Sequence, residues 1–101
     1  MKRRFKKEII PNEKGIVFKE GTKVMINSKR IKSHPDYSKY SFSYRYFIEH
    51  NNKKIFTVEY EKNRDPVIVV LKEDLTRPRW LFYVGDLSEV VYSSKNEKVE
   101  E

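Results

Sequence analysis

Two apolar runs in the last third of this chain leave it few ways to fold. Pro66 leads into Val67-Ile68-Val69-Val70-Leu71, a polar loop covers Lys72 to Pro78, and Trp80-Leu81-Phe82-Tyr83-Val84 follows. Gly85-Asp86-Leu87 reads as a tight turn and Glu89 to Tyr92 as a short final strand. Short β-branched and aromatic runs bounded by turn signals are strands. The unbroken apolarity of Val67–Leu71 predicts burial on both faces or a strongly bent central strand.

The rest of the composition agrees. The chain has no alanine, the best helix former, which argues against a helical bundle. Tyr, Phe, Val and Ile supply most of its apolar side chains, a strand-forming palette. Missing alanine and glutamine, with abundant Lys, Ile, Asn, Tyr and Phe, also fit an AT-rich genome such as that of a low-GC bacterium or one of its phages. With 101 residues there is room for one core and not two.

Upstream, residues 1–14 read as a basic arm in which Ile9-Ile10 is halted by Pro11. Lys14-Gly15 and Glu20-Gly21 are turns, and Thr22–Asn27 alternates so that Val24 and Ile26 face the core. Residues 28–41 form a long polar connection around Ser33-His34-Pro35-Asp36, where Pro35 forbids a helix interior. Ser41 to Glu49 alternates again, with Phe42, Tyr44, Tyr46 and Ile48 on one side of a strand. Asn51-Asn52 then makes a hairpin turn into Ile55–Glu61, whose Phe56, Val58 and Tyr60 point inward. On Trp80–Val84, either Trp80, Phe82 and Val84 or Leu81 and Tyr83 are buried. The predicted organisation is a basic arm over 1–14, a β-barrel over 15–93 and a charged tail over 94–101.

The order Gly21–Ile26, Lys54–Glu61, Val67–Leu71 and Trp80–Val90 resembles the SH3-like small barrel. There a glycine-led strand is followed by a long variable loop, a meander, a one-turn helix and a short last strand. The resemblance covers roughly residues 21–92 and implies an all-β barrel of five to six strands with a long first loop. Nucleic-acid-binding KOW-type domains, peptide-binding domains and viral accessory proteins share that architecture, so it implies a binding module without choosing the ligand.

Charge suggests one. Residues 1–35 hold 11 Lys/Arg against 3 Asp/Glu, a net +8, whereas residues 36–101 hold 11 against 12, a net −1. Such segregation points to an anionic partner, nucleic acid or an acidic protein surface. Lys2, Arg3, Arg4, Lys6 and Lys7 are candidate phosphate contacts, and seven extended residues reach about 23 Å. Lys29, Arg30 and Lys32 form a second cluster, followed by Tyr37 and Tyr40, which lie outside any clear strand and are expected to be exposed. With Trp80, these rings would stack on bases, as in single-strand binders. Tyr44 and Tyr46 read instead as core. Alternatively, the same cations and rings serve a protein-interaction module, such as a phage-encoded factor docking on a host protein.

Other chemistry finds little support in the residues. No cysteine means no disulfide and no thiolate, in keeping with a reducing cytoplasm. His34 and His50 lack the spacing of a zinc site. The acidic residues Glu73, Asp74, Asp86 and Glu89 lack the spacing of a calcium loop. There is no phosphate-binding glycine loop or serine elbow, and three glycines exclude a dinucleotide fingerprint. His34-Pro35-Asp36 matches the J-domain tripeptide, but the flanking residues lack that domain's long helices. The basic opening imitates a signal peptide, yet Glu8, Asn12, Glu13 and Lys14 interrupt any apolar stretch. No enzyme, cofactor or membrane span is expected.

Overall fold

The computed structural model describes residues 5–94. Its strands are β1 (Phe5–Pro11), β2 (Lys23–Ile26), β3 (Phe56–Glu59), β4 (Ile68–Leu71), β5 (Phe82–Tyr83) and β6 (Leu87–Ser94). Two helices, α1 (Ser28–Lys32) and α2 (Phe42–Asn51), lie between β2 and β3. Single 3-10 turns occupy Tyr37–Lys39 and Val84–Asp86. All six strands join one antiparallel sheet in the order β1-β6-β2-β3-β4-β5. No described helix is long and apolar enough to cross a membrane.

The strands read from alternation have the expected facing. Val24, Ile26, Phe56 and Val58 are buried in one core with Val69, Leu71, Phe82, Val84 and Leu87. Val70 is buried as well, so the Val67–Leu71 run is covered on both faces where it crosses the sheet. The strand expected over Trp80–Val84 is shorter, with only Phe82–Tyr83 in the ladder and Val84 in the following 3-10 turn. Of the two alternatives on this segment, Phe82 and Val84 point inward with Trp80 packed against the core, while Leu81 and Tyr83 remain exposed.

Three local expectations are corrected. The segment read as a strand over Ser41–Glu49 is helix α2. Ser41 caps it, its hydroxyl accepting from the Tyr44 amide at 3.2 Å. Beneath the two-residue alternation runs a helical stripe, Tyr44, Phe47, Ile48 and half-buried Asn51, whose Tyr44, Phe47 and Ile48 face the core. Phe42 and Tyr46, expected inside, are exposed. Asn51-Asn52 consequently ends a helix and is no hairpin; Asn52 sits at φ −71°. The polar connection over 28–41 is also partly helical. Asn27 caps α1 by accepting from the Arg30 amide at 3.1 Å, and α1 buries Ile31 before Pro35 stops it. Finally, Phe5–Pro11 of the expected arm is an ordered strand paired along β6, from Phe5↔Ser94 to Pro11↔Ser88.

The sheet is not closed into a barrel by a ladder. β1 and β5 are its edges, and side chains connect them instead. Asn12, just after β1, is buried and donates from Nδ2 to the carbonyl of Val84, just after β5, at 3.1 Å. Nδ2 also donates to the Ile16 carbonyl at 2.9 Å, and Oδ1 accepts from the Ile16 amide at 3.0 Å. The Tyr83 ring lies against Gly15 and Gly85, where any Cβ would collide with it. Gly15 is required for a second reason, since its φ of +64° disfavours other residues.

A second tie joins β3 to the loop after β4. Glu73 accepts from the Thr57 amide and hydroxyl, each at 2.7 Å, and Lys23 donates to that hydroxyl at 2.8 Å. Partial burial opposes the carboxylate charge, but the Thr57 bonds and the nearby Lys23 outweigh it and hold Glu73 below its ordinary 4.5.

Two outcomes follow from these ties. Asn12→Asp replaces the donor aimed at two carbonyls with an acceptor, and should lower stability by about 2 kcal/mol in urea unfolding. A group held below its usual range stabilises the fold above that range and stops doing so as pH falls through its folded value. Glu73→Gln should therefore lose stability at neutral pH and unfold with a shallower acid dependence below about pH 4.5 than the parent chain. Equal acid dependence in the two proteins would contradict the tie.

Candidate ligand groove around Trp80

Trp80 owes its place to a buried carboxylate. Asp74, 2% exposed, accepts from the Trp80 amide at 2.9 Å through Oδ2. Its Oδ1 accepts from the Thr76 amide at 2.9 Å and the Thr76 hydroxyl at 2.6 Å. The loop is thus wound about one side chain, as an Asx-type turn is. From there the indole reaches Tyr44 of α2, with ring centroids 5.3 Å apart and a steep 67° between planes. The chain of rings continues from Tyr44 to Tyr40 at 5.7 Å, and from Tyr40 to Tyr37 at 5.7 Å and His34 at 5.8 Å. The Trp80–Tyr44, Tyr44–Tyr40 and Tyr40–Tyr37 contacts are edge-on, which suits the aromatic quadrupole. Burial also pushes the Tyr44 hydroxyl well above its ordinary value, keeping it neutral.

Trp80 is a wall shared by two clefts. The first, about 610 Å³, lies between α1, the 3-10 turn and α2, and is lined by Arg30, His34, Pro35, Tyr40, Tyr44 and Asp86. The second, about 650 Å³, opens on the far side between α2 and the loop before β5. Phe42, Tyr46, Phe47, Arg77, Pro78 and Arg79 line it. Phe42 is 71% exposed and Tyr46 53% exposed, one helical turn apart.

Of the site residues expected from sequence, Arg30, Tyr40 and Trp80 converge on the first cleft, Tyr40 half-buried there and not exposed as expected. Lys29 is exposed on α1 without lining it. Tyr37 is corrected: it packs half-buried against the core, its hydroxyl sealed from solvent without a hydrogen-bond partner among the described residues. It is not free to stack on a base. Lys6 and Lys7 are exposed on β1, a strand whose only ladder is with β6, and so belong to a different part of the sheet from α1. Lys2, Arg3 and Arg4 lie outside the described residues.

The second basic cluster is largely neutralised within the fold. The Arg30 guanidinium donates to Asp86 at 3.1 Å, and Lys32 pairs with Glu49 of α2 at 2.7 Å. The bond to Glu49 raises Lys32 above its ordinary value. Arg79 likewise donates to Glu59 at 2.8 Å and lies 3.8 Å from Glu61. No group of three or more His, Asp or Glu side chains is placed to hold a metal among the described residues.

Sequence reasoning missed Phe42 and Asp86 as groove residues and read Tyr44 and Tyr46 as core. The available signal was the Ser41 cap with the 44/47/48/51 stripe, which turns these rings about a helix axis. Comparison with known protein families, with curated proteins and with solved structures finds no match.

Asp74→Asn would set an amide N–H against the N–H groups now bonded to the carboxylate. It should cost about 1–3 kcal/mol and shift the emission of Trp80, the sole tryptophan, to longer wavelength. Unchanged emission and stability would mean that Asp74 does not position the indole.

Proposed function

We propose that this chain is a non-catalytic SH3-like binding module whose ligand is a segment of another protein, seated across Trp80. The observation that carries the reading is the pair of aromatic-lined clefts meeting at that indole. Concave, mostly apolar surfaces with a few fixed polar groups are where proteins bind ligands, and Trp, Tyr and Arg are favoured anchors. The SH3-like assignment draws support from the strand succession. β2, β3, β4 and β5 are neighbours in turn, a 3-10 turn follows, and β6 returns beside β2, with the long connection between β2 and β3.

The nucleic-acid reading rests on the +8 of residues 1–35. It loses ground because Arg30 and Lys32 spend their charge on Asp86 and Glu49, and because Tyr37 packs half-buried against the core. An acidic host protein met by a phage-encoded factor in the cytoplasm remains the concrete form of the protein reading.

The test is an affinity capture with the full chain and with Tyr40→Ser, with and without nuclease. One stoichiometric protein retained after nuclease, and recovered at least about fivefold less by the variant, supports the proposal. Recovery of many proteins that nuclease abolishes would sink it, as would binding to mixed-sequence DNA or RNA whose log K falls with log salt at a slope of about −3 to −4.

A further inference from the structure

The two clefts differ in charge, and the difference specifies a ligand. In the first, Arg30 is accompanied by Asp86. Among the described residues, the second is lined by two guanidinium groups and no carboxylate. Arg79 is already neutralised by Glu59. Arg77 is not: it forms no ion pair with a described carboxylate. Its two hydrogen bonds both use Nη1, to the carbonyls of Thr76 at 2.7 Å and Asp74 at 3.4 Å. A guanidinium offers five N–H donors in a rigid fork, so most of this one is left to a ligand.

Opposite Arg77 lies the exposed face of α2. Phe42 and Tyr46 stand 6.0 Å apart, and Tyr46 stacks on His50 at 3.8 Å. These rings lie at i, i+4 and i+8, whereas the buried stripe of the same helix is Tyr44, Phe47 and Ile48. Helix α2 thus has an aromatic face left exposed among the described residues, adjoining a cleft walled by Pro78 and Trp80. Contiguous exposed apolar surface rimmed by polar groups is characteristic of docking sites.

We infer that this second cleft docks an apolar side chain of a partner protein flanked by carboxylates. The apolar group enters between Phe42 and Pro78, and a carboxylate takes the open fork of Arg77. The inference rests on the protein-docking reading and adds the ligand's chemistry. A polyanion backbone suits the cleft less well. Nucleic acid needs a track of available cations, and here a single available guanidinium has Glu59 and Glu61 beyond its neutralised neighbour Arg79.

The test is Trp80 emission and fluorescence polarisation with short degenerate peptide pools, each peptide carrying one leucine or phenylalanine flanked by aspartates or by lysines. Preference of at least about tenfold for the acid-flanked pool, lost in Arg77→Gln and in Phe42→Ser, is the expected result. The pool comparison uses the unaltered chain, so it stands even where a variant folds poorly, and urea midpoints identify such a variant. Equal binding of both pools overturns the inference and leaves the docking reading standing. Binding of neither pool, with nuclease-resistant capture of a partner intact, also overturns the inference alone. Binding of neither pool together with failed capture overturns both. Displacement of the acid-flanked pool by an oligonucleotide at equal concentration overturns it in favour of nucleic acid.

Discussion

Both edges of the sheet end beside the same asparagine. β1 runs into Asn12 and β5 runs into Val84, and the bond between that side chain and that carbonyl spans a gap no ladder crosses. A buried amide with three partners resists exchange with water, because breaking it strands polar groups in an apolar surrounding. Tyr83 adds shape to the contact: its ring fills the space left by two glycines on opposite sides of the junction. The curved face so held encloses Val24, Phe56, Val58, Val69, Phe82 and Leu87, and the helices are packed against that core.

The groove follows from what the sheet leaves open. The long connection between β2 and β3 brings α1, a 3-10 turn and α2 over the core, burying Ile31, Phe47 and Ile48. The loop before β5, wound on Asp74, raises Trp80 to meet Tyr44. Neither cleft belongs to one element; each requires a helix and a loop far apart in sequence. The electrostatics obey the same logic. Arg30 and Lys32 of α1 find carboxylates on the turn before β6 and on α2, whereas Arg77 forms no ion pair with a described carboxylate.

Alternation was a sound guide where one face of a strand meets the core, as in Val24 and Ile26 or Phe56 and Val58, since pleating enforces a period of two. It misled over Ser41–Glu49, where aromatic residues satisfy two periods at once. Phe42, Tyr44, Tyr46 and Ile48 alternate, but Tyr44, Phe47, Ile48 and Asn51 also form a helical stripe. Strand preference in such residues is mostly a preference for a packed surface, and here a helix supplied that surface. The Ser41 cap then tipped the balance locally. At the groove, Arg30, Tyr40 and Trp80 were legible as residue types suited to binding, whereas the partial burial of Tyr37 against the core was not legible, because it depends on how the chain packs.

The amino-acid order alone determined a β-rich chain with turns at Gly15 and Gly21, a doubly covered or bent strand within Val67–Leu71 and an aromatic strand within Trp80–Val84. These are set by near-neighbour sterics and by the local density of apolar side chains. Which cations are neutralised, which face of Trp80 is open and how the two sheet edges meet were decided only by tertiary structure. The physical reason is distance: Arg30 and Asp86, Lys32 and Glu49, and Asn12 and Val84 are partners only because the chain folds back on itself.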